Sequence, residues 1–231
     1  MSEARDRILG SLRRALGREA PADEVRAALE RRLADHPANL IPARADLPAA
    51  GQVELFVRMA QAVDTTVDRV ADMADVPAAV ADYLARHNLP TDIAMAPDPA
   101  LDAIPWATRP LLTIHRGRAQ GDDQVSLTAA VAGIAETGTL MLLSGPEHPT
   151  TLNFLPDTHV VVLRAGQIVG PYEEAWRRLR ARTGGAMPRT VNLVTGPSRT
   201  GDIELKIQLG AHGPRRLHIV LVDEPEPAGA A

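Results

Sequence analysis

The fold class predicted by the sequence is α/β, a sandwich of helices on a mostly parallel sheet. Three observations predict it. Short, almost wholly apolar runs, 159–163 and 217–222 above all, read as strands buried on both faces. Helical periodicities lie between such runs, as crossover connections require. Aromatic residues are only 3% of the chain, so the core must be packed from Ala, Val, Leu and Ile. A chain of 231 residues suffices for one domain with an appendage.

The first 36 residues are expected to be helical. Ile8, Leu9, Leu12 and Leu16 recur at helical spacing. Val25, Leu29 and Leu33 form a second stripe, entered through Pro21 and Asp23 and stopped by Pro37. The simpler reading is a pair of solvated amphipathic helices packing on the body; the other is a dimerisation or partner-docking arm. Pro37, Pro42, Pro48 and Gly51 mark a linker. Residues 1–50 are therefore an N-terminal helical extension, 51–224 the α/β domain and 225–231 a disordered tail.

Within the domain, Val53, Phe56, Val57 and Ala60 predict a helix, and 65–70 a strand. Asp75 and Pro77 open a helix that runs to about His87. Residues 93–96 form a short buried strand. Trp106 pins the Pro-rich loop 97–110, and a strand follows at 111–115. Strands at 125–127, 134–136 and 139–143, separated by Gly turns, suggest an antiparallel insertion extending to 163. Pro171 opens a helix through about Arg182, ended by Gly184 and Gly185. Residues 191–194 form a strand. Ile203, Leu205, Ile207 and Leu209 alternate with polar residues, the period of one half-buried strand. The apolar run 217–222 is the last strand.

Composition excludes several functions. The net charge of −4 gives no global electrostatic reason to bind nucleic acid, and so few aromatics speak against a stacking platform for single strands. Lys206 is the only lysine among 25 basic residues. The chain has no cysteine, so no disulfide, zinc-thiolate or cysteine-bound iron–sulfur cluster forms on it, and no cofactor is held that way. The charged start does not read as a secretory signal, and no apolar stretch in the sequence is long enough to be expected to span a membrane. A cytoplasmic location is the expectation.

Three segments combine glycine, hydroxyls and charge after apolar strands: 133–139, 195–204 and 210–214. In open α/β sheets, ligands bind beyond the carboxyl ends of strands. Glycine lets backbone N–H groups approach an anion, and Ser and Thr add donors. These residues predict a small anionic-ligand pocket from Thr137, Gly138, Thr139, Gly196, Ser198, Arg199, Thr200 and Asp202. The bland alternative is that they are turn residues. Arg199 offers a planar fork for a carboxylate or phosphate, or else braces its loop against Asp202 or Glu204. Glu136 reads as a general base or a turn acceptor. His212 reads as a proton shuttle or a structural loop residue. Asp202 and Glu204 share a face if 203–209 is one strand, and Lys206 then pairs with Glu204. His148, His159 and His218 read as structural. No Walker A loop, G-x-G-x-x-G, G-x-S-x-G or H-E-x-x-H is present, and no ligand spacing demands a metal.

The same segments carry a resemblance. GIAETGTLMLLSG, then Asn153 to Pro156, then VTGPSRTGDIELKIQLGAHGP, together resemble the LUD-domain family in its lactate-utilization protein C branch, over about residues 51–222. That family usually has Ala where this chain has Gly201. The resemblance implies a Rossmann-like α/β/α sandwich of the sugar-isomerase/CoA-transferase type. It also implies a part in oxidising L-lactate to pyruvate beside two partner proteins, one of which carries iron–sulfur clusters. A chain without cysteine fits a non-redox component that binds a small anion in a pocket of Glu136, Arg199 and His212. Two other readings stay open. One is a stand-alone enzyme of the same fold, an acyl-transferase, sugar-phosphate isomerase or cyclo-ligase, using Glu136. The other is a ligand-sensing regulatory module. Homo-oligomerisation also stays open.

Overall fold

The structure, a computed structural model, describes residues 3–17, 21–203, 206–210 and 212–224, with backbone alone at 200–203 and 206–209. The expected tail, Glu204 and Leu205 lie outside the described residues. The chain divides into two units, Met1–Leu40 and Ile41–Ala231. In the first, α1 (Glu3–Leu16) has Glu3 and Asp6 in its first turn and Arg13 and Arg14 in its last. That charge order complements the helix dipole. α2 (Asp23–Asp35) repeats it with Asp23, Glu24 and Arg32, and ends where His36 turns left-handed just before Pro37. Neither helix has a buried residue.

The second unit is built on a six-stranded sheet in the order β1 (Thr66–Val70), β12 (Arg216–Val222), β7 (Thr158–Arg164), β4 (Val125–Ala129), β2 (Asp92–Met95), β3 (Thr113–Arg116). Every pairing in it is parallel. β7 and β12 lie inside the sheet with both faces covered, which is why their sequences are apolar at consecutive positions. Val160, Val162, Val220 and Val222 face one layer, where α4 (Val76–Arg86) contributes Val80 and Leu84. Trp106 holds the loop of that layer by donating Nε1–H to the Leu101 carbonyl at 2.9 Å.

The opposite face is covered by α3 (Ala49–Gln61) and by a second, four-stranded sheet. Its order is β8 (Ile168–Val169), β5 (Ala132–Ile134), β6 (Thr139–Leu143), β9 (Val191–Val194). Phe56 and Ala60 of α3 join Leu140 and Leu142 of β6 against Val161, Leu163, Ile219 and Leu221. α6 (Tyr172–Thr183) closes the far side of the second sheet with Ala175 and Leu179 over Ile134 and Met141. Its C-terminus stops at Gly184, φ 60°.

Three expectations change. The strands from 125 to 163 are not one antiparallel insertion. β4 and β7 belong to the parallel sheet, and only the β5–β6 hairpin between them, extended by β9, is antiparallel. The first strand of that hairpin ends at Ile134, before Glu136. The alternating stretch is not one strand. β10 (Arg199–Ile203) pairs antiparallel with β11 (Lys206–Leu209), with Ile203 opposite Lys206. Alternation in sequence carries no information on where a strand folds back, so the argument that Lys206 shares a face with Glu204 lapses.

Candidate functional site

The turn between β5 and β6 is fixed by its backbone. The N–H groups of Ala135 and Glu136 donate to the carbonyls of Val169 (2.8 Å) and Gly170 (3.0 Å). Gly138, φ 67°, lies so close to the last turn of α3 that a Cβ would run into the backbone of Met59 and Ala60. Its glycine is therefore explained by packing. The next residue, Thr139, is fully buried. Its hydroxyl meets those of Thr137 (2.6 Å), Tyr172 (2.9 Å) and Thr195 (2.6 Å), and Tyr172 also meets Thr137 at 2.8 Å. A buried hydroxyl needs partners, and each of these can donate once and accept twice. The chain of hydroxyls ties the β5–β6 turn to the end of β9, where Thr195 is exposed.

Beyond Thr195 a cavity of about 280 Å³ opens between two loops. Gly196, Ser198 and Arg199 line it from one side and His212, Gly213 and Pro214 from the other. Ser198 knits the loops together. Its N–H donates to the Pro214 carbonyl (2.8 Å), its carbonyl accepts from the Gly210 N–H (3.0 Å) and its Oγ accepts from the His212 N–H (3.4 Å). Arg199 pairs with Asp64, just after α3, and its side chain is 38% exposed. Among the described residues Asp64 is the ion-pair partner of Arg199, and the five N–H donors of a guanidinium exceed what one carboxylate occupies.

The inner wall comes from the central sheet. His159 and Leu217, paired across β7 and β12, line the cavity, as do Asn153 and the exposed Phe154 and Leu193. His159 is fully buried. Its Nε2 meets the Thr128 hydroxyl at 2.8 Å, and its Nδ1 has no hydrogen-bond partner among the described residues. Burial pushes its pKa down to about 3, so the ring is neutral near pH 7.

The site therefore sits at the amino end of β7 and β12. The expectation of a carboxyl-end site holds only for the second sheet, where 195–199 follow β9. Of the residues singled out in the sequence, Gly196, Ser198, Arg199 and His212 come together in the cavity. Thr139 and Thr137 stand behind it, linked through Thr195. Glu136, half-buried in the β5–β6 turn, and Gly138 are not among the lining residues. The side chains of Thr200 and Asp202 lie outside the described residues, as does Glu204. Arg199 takes Asp64 as its partner, 135 positions away in sequence, which no local pattern announces. Sequence reasoning also missed His159 and Tyr172. The one available signal for His159 was a polar residue at the edge of an otherwise apolar strand.

Not every cleft suits an anion. One of about 500 Å³ is lined by Asp92, Asp122 and Asp123, whose carboxylates repel negative charge. No group of three or more His, Cys, Asp or Glu among the described residues could hold a metal. Nor is any described helix long and apolar enough to cross a membrane.

Comparison with known proteins places this chain in a family. An uncharacterized protein of Neisseria meningitidis is 42% identical over 103 residues, 44% of each chain. Lactate utilization protein C of Anoxybacillus flavithermus is 33% identical over 100 residues, 43% of this chain and 44% of the relative. The same-named protein of Shouchella clausii is 31% identical over 101 residues, with 43% and 44% covered. The matches thus span less than half the length of these relatives. Among solved structures, a DUF162 family protein of Deinococcus radiodurans superposes with a TM-score of 0.59 at 27% identity, over 76% of this chain and 99% of that one. The family model of the LUD domain matches residues 53–222, the helices and sheets that frame the cavity, and the chain belongs to the LUD domain family.

Proposed function

We propose that this protein is a non-redox component of L-lactate utilization and holds a small carboxylate in the cavity beside Arg199. The observation that carries the reading is the meeting of two loops, one with Gly196 and Ser198 and the other with His212 and Gly213, around one cavity that Arg199 also lines. The relatives named lactate utilization protein C support the process. Oxidation of L-lactate to pyruvate releases two electrons and two protons. A chain without cysteine cannot hold a thiolate-bound cluster; in this reading the electrons pass to the iron–sulfur partner that the family resemblance implies. Arg199 binds the carboxylate, and the rigid Ser198 crosslink keeps both loops in register. Glu136, which does not line the cavity, has no ligand contact in this reading.

The test is thermal denaturation with L-lactate, pyruvate, phosphate and nucleotides. A ligand at about 100 times its Kd adds roughly 2.7 kcal/mol of stability. The expected result is a carboxylate-dependent shift that Arg199→Ala abolishes. Lactate-dependent dye reduction by the iron–sulfur partners should fall when this chain is left out. Undiminished reduction would sink the role as a required component.

A further inference from the structure

The inner wall of the cavity holds an unused hydrogen-bonding group. His159 stands at the second position of β7, fully buried, on the face that also carries Leu217 of the next strand. One ring nitrogen, Nε2, is taken by Thr128 of β4, on the neighbouring strand. The other, Nδ1, is shielded from water and unpartnered among the described residues, although the residue lines the cavity. A buried polar atom left unpaired costs about 1–3 kcal/mol, so a ligand atom that reached Nδ1 would recover that cost. Asn153, 5% exposed, adds a second buried polar side chain to the same wall.

We infer that His159 is a ligand contact, its Nδ1 pairing with an oxygen or N–H that the ligand carries beyond the anionic group bound at Arg199. The assignment rests on the carboxylate site proposed above and specifies it further. Burial disfavours the charged imidazolium, so the inner subsite takes an uncharged polar atom rather than a second negative charge. Thr128 can either donate to Nε2 or accept from it, so the tautomer adapts to a ligand acceptor or donor at Nδ1. The ligand class is a small carboxylate with a neutral polar group on the adjoining carbon, such as a 2-hydroxy or 2-oxo acid. A plain alkanoate occupies only the rim.

Calorimetric titration with L-lactate, pyruvate and propionate tests this. Propionate keeps the carboxylate and lacks the C2 oxygen. Wild-type protein is expected to bind L-lactate or pyruvate at least tenfold more tightly than propionate. His159→Gln keeps a polar group near the Nε2 position, for Thr128, but withdraws the one at the Nδ1 position. It should bring that ratio close to one. His159→Asn, which keeps a group near the Nδ1 position, should preserve it. A purely structural histidine predicts the reverse, with Gln tolerated and the ratio unmoved. Nitrogen NMR of the wild-type imidazole needs no variant. Saturating L-lactate should move the Nδ1 resonance of His159. An unmoved resonance, or a ratio indifferent to His159→Gln while binding still depends on Arg199, overturns this inference alone. If wild-type protein binds none of the three acids, the carboxylate site falls and this assignment falls with it.

Discussion

Thr139 shows how much a single side chain carries here. Its buried hydroxyl is the hub between the β5–β6 turn, α6 and the end of β9. Thr139→Val keeps the shape and removes the hub. Thr137 and Tyr172 still pair with each other, and Thr195 is exposed, so the expected loss is about 1–2 kcal/mol by urea denaturation. Hydrogen exchange should quicken in 195–199 more than elsewhere. Two imidazoles act at the same scale through pH. Burial lowers His159 to about 3 and His218, stacked on Tyr83 at 3.8 Å, to about 4. Both folded values lie below the unfolded value of about 6.5, so the unfolded chain binds more protons between those limits. Stability is therefore fully present above about pH 6.5 and drains away as the pH falls toward 3–4. For His159 the whole loss is on the order of 4–5 kcal/mol. Urea midpoints at pH 7, 5.5 and 4 should fall in the wild type and fall less steeply in His159→Phe. Parallel slopes would refute the assignment of this acid lability to His159.

Among the elements, the β5–β6 hairpin is the most constrained. Its turn crosses α3 at backbone contact distance through Gly138, and β6 then feeds Leu140 and Leu142 into the core. Gly138→Ala meets both a left-handed φ and the α3 backbone, so it should cost about 2–3 kcal/mol. Equilibrium unfolding measures this directly, and a loss below about 0.5 kcal/mol would mean that the turn can shift away from α3. Helices and apolar strands were largely legible because their signals are local. Pro, Asp and Gly punctuate α4 and α6, and β7 and β12 are apolar at consecutive positions. The hairpin of β10 and β11 was not legible, since alternation of polar and apolar residues is the same in one strand and in two that fold back on each other.

At the scale of the whole molecule, none of the three core clusters contains a described residue from Met1–Leu40. The fragment 41–231 should therefore melt within a few degrees of the full chain, a difference below about 1 kcal/mol. A drop beyond about 5 °C would assign the N-terminal helices a part in the stability of the α/β unit. The sequence by itself determined the fold class, the lack of cysteine, the glycines at 196, 210 and 213 and the presence of Arg199 beside them, because each is a matter of composition or of neighbours along the chain. Only the tertiary structure decided that these loops meet at the amino end of β7 and β12, that Asp64 holds Arg199 at the rim and that His159 forms the inner wall. Those relations join residues from 12 to 135 positions apart, and sheet order and register, not local propensity, bring such residues together.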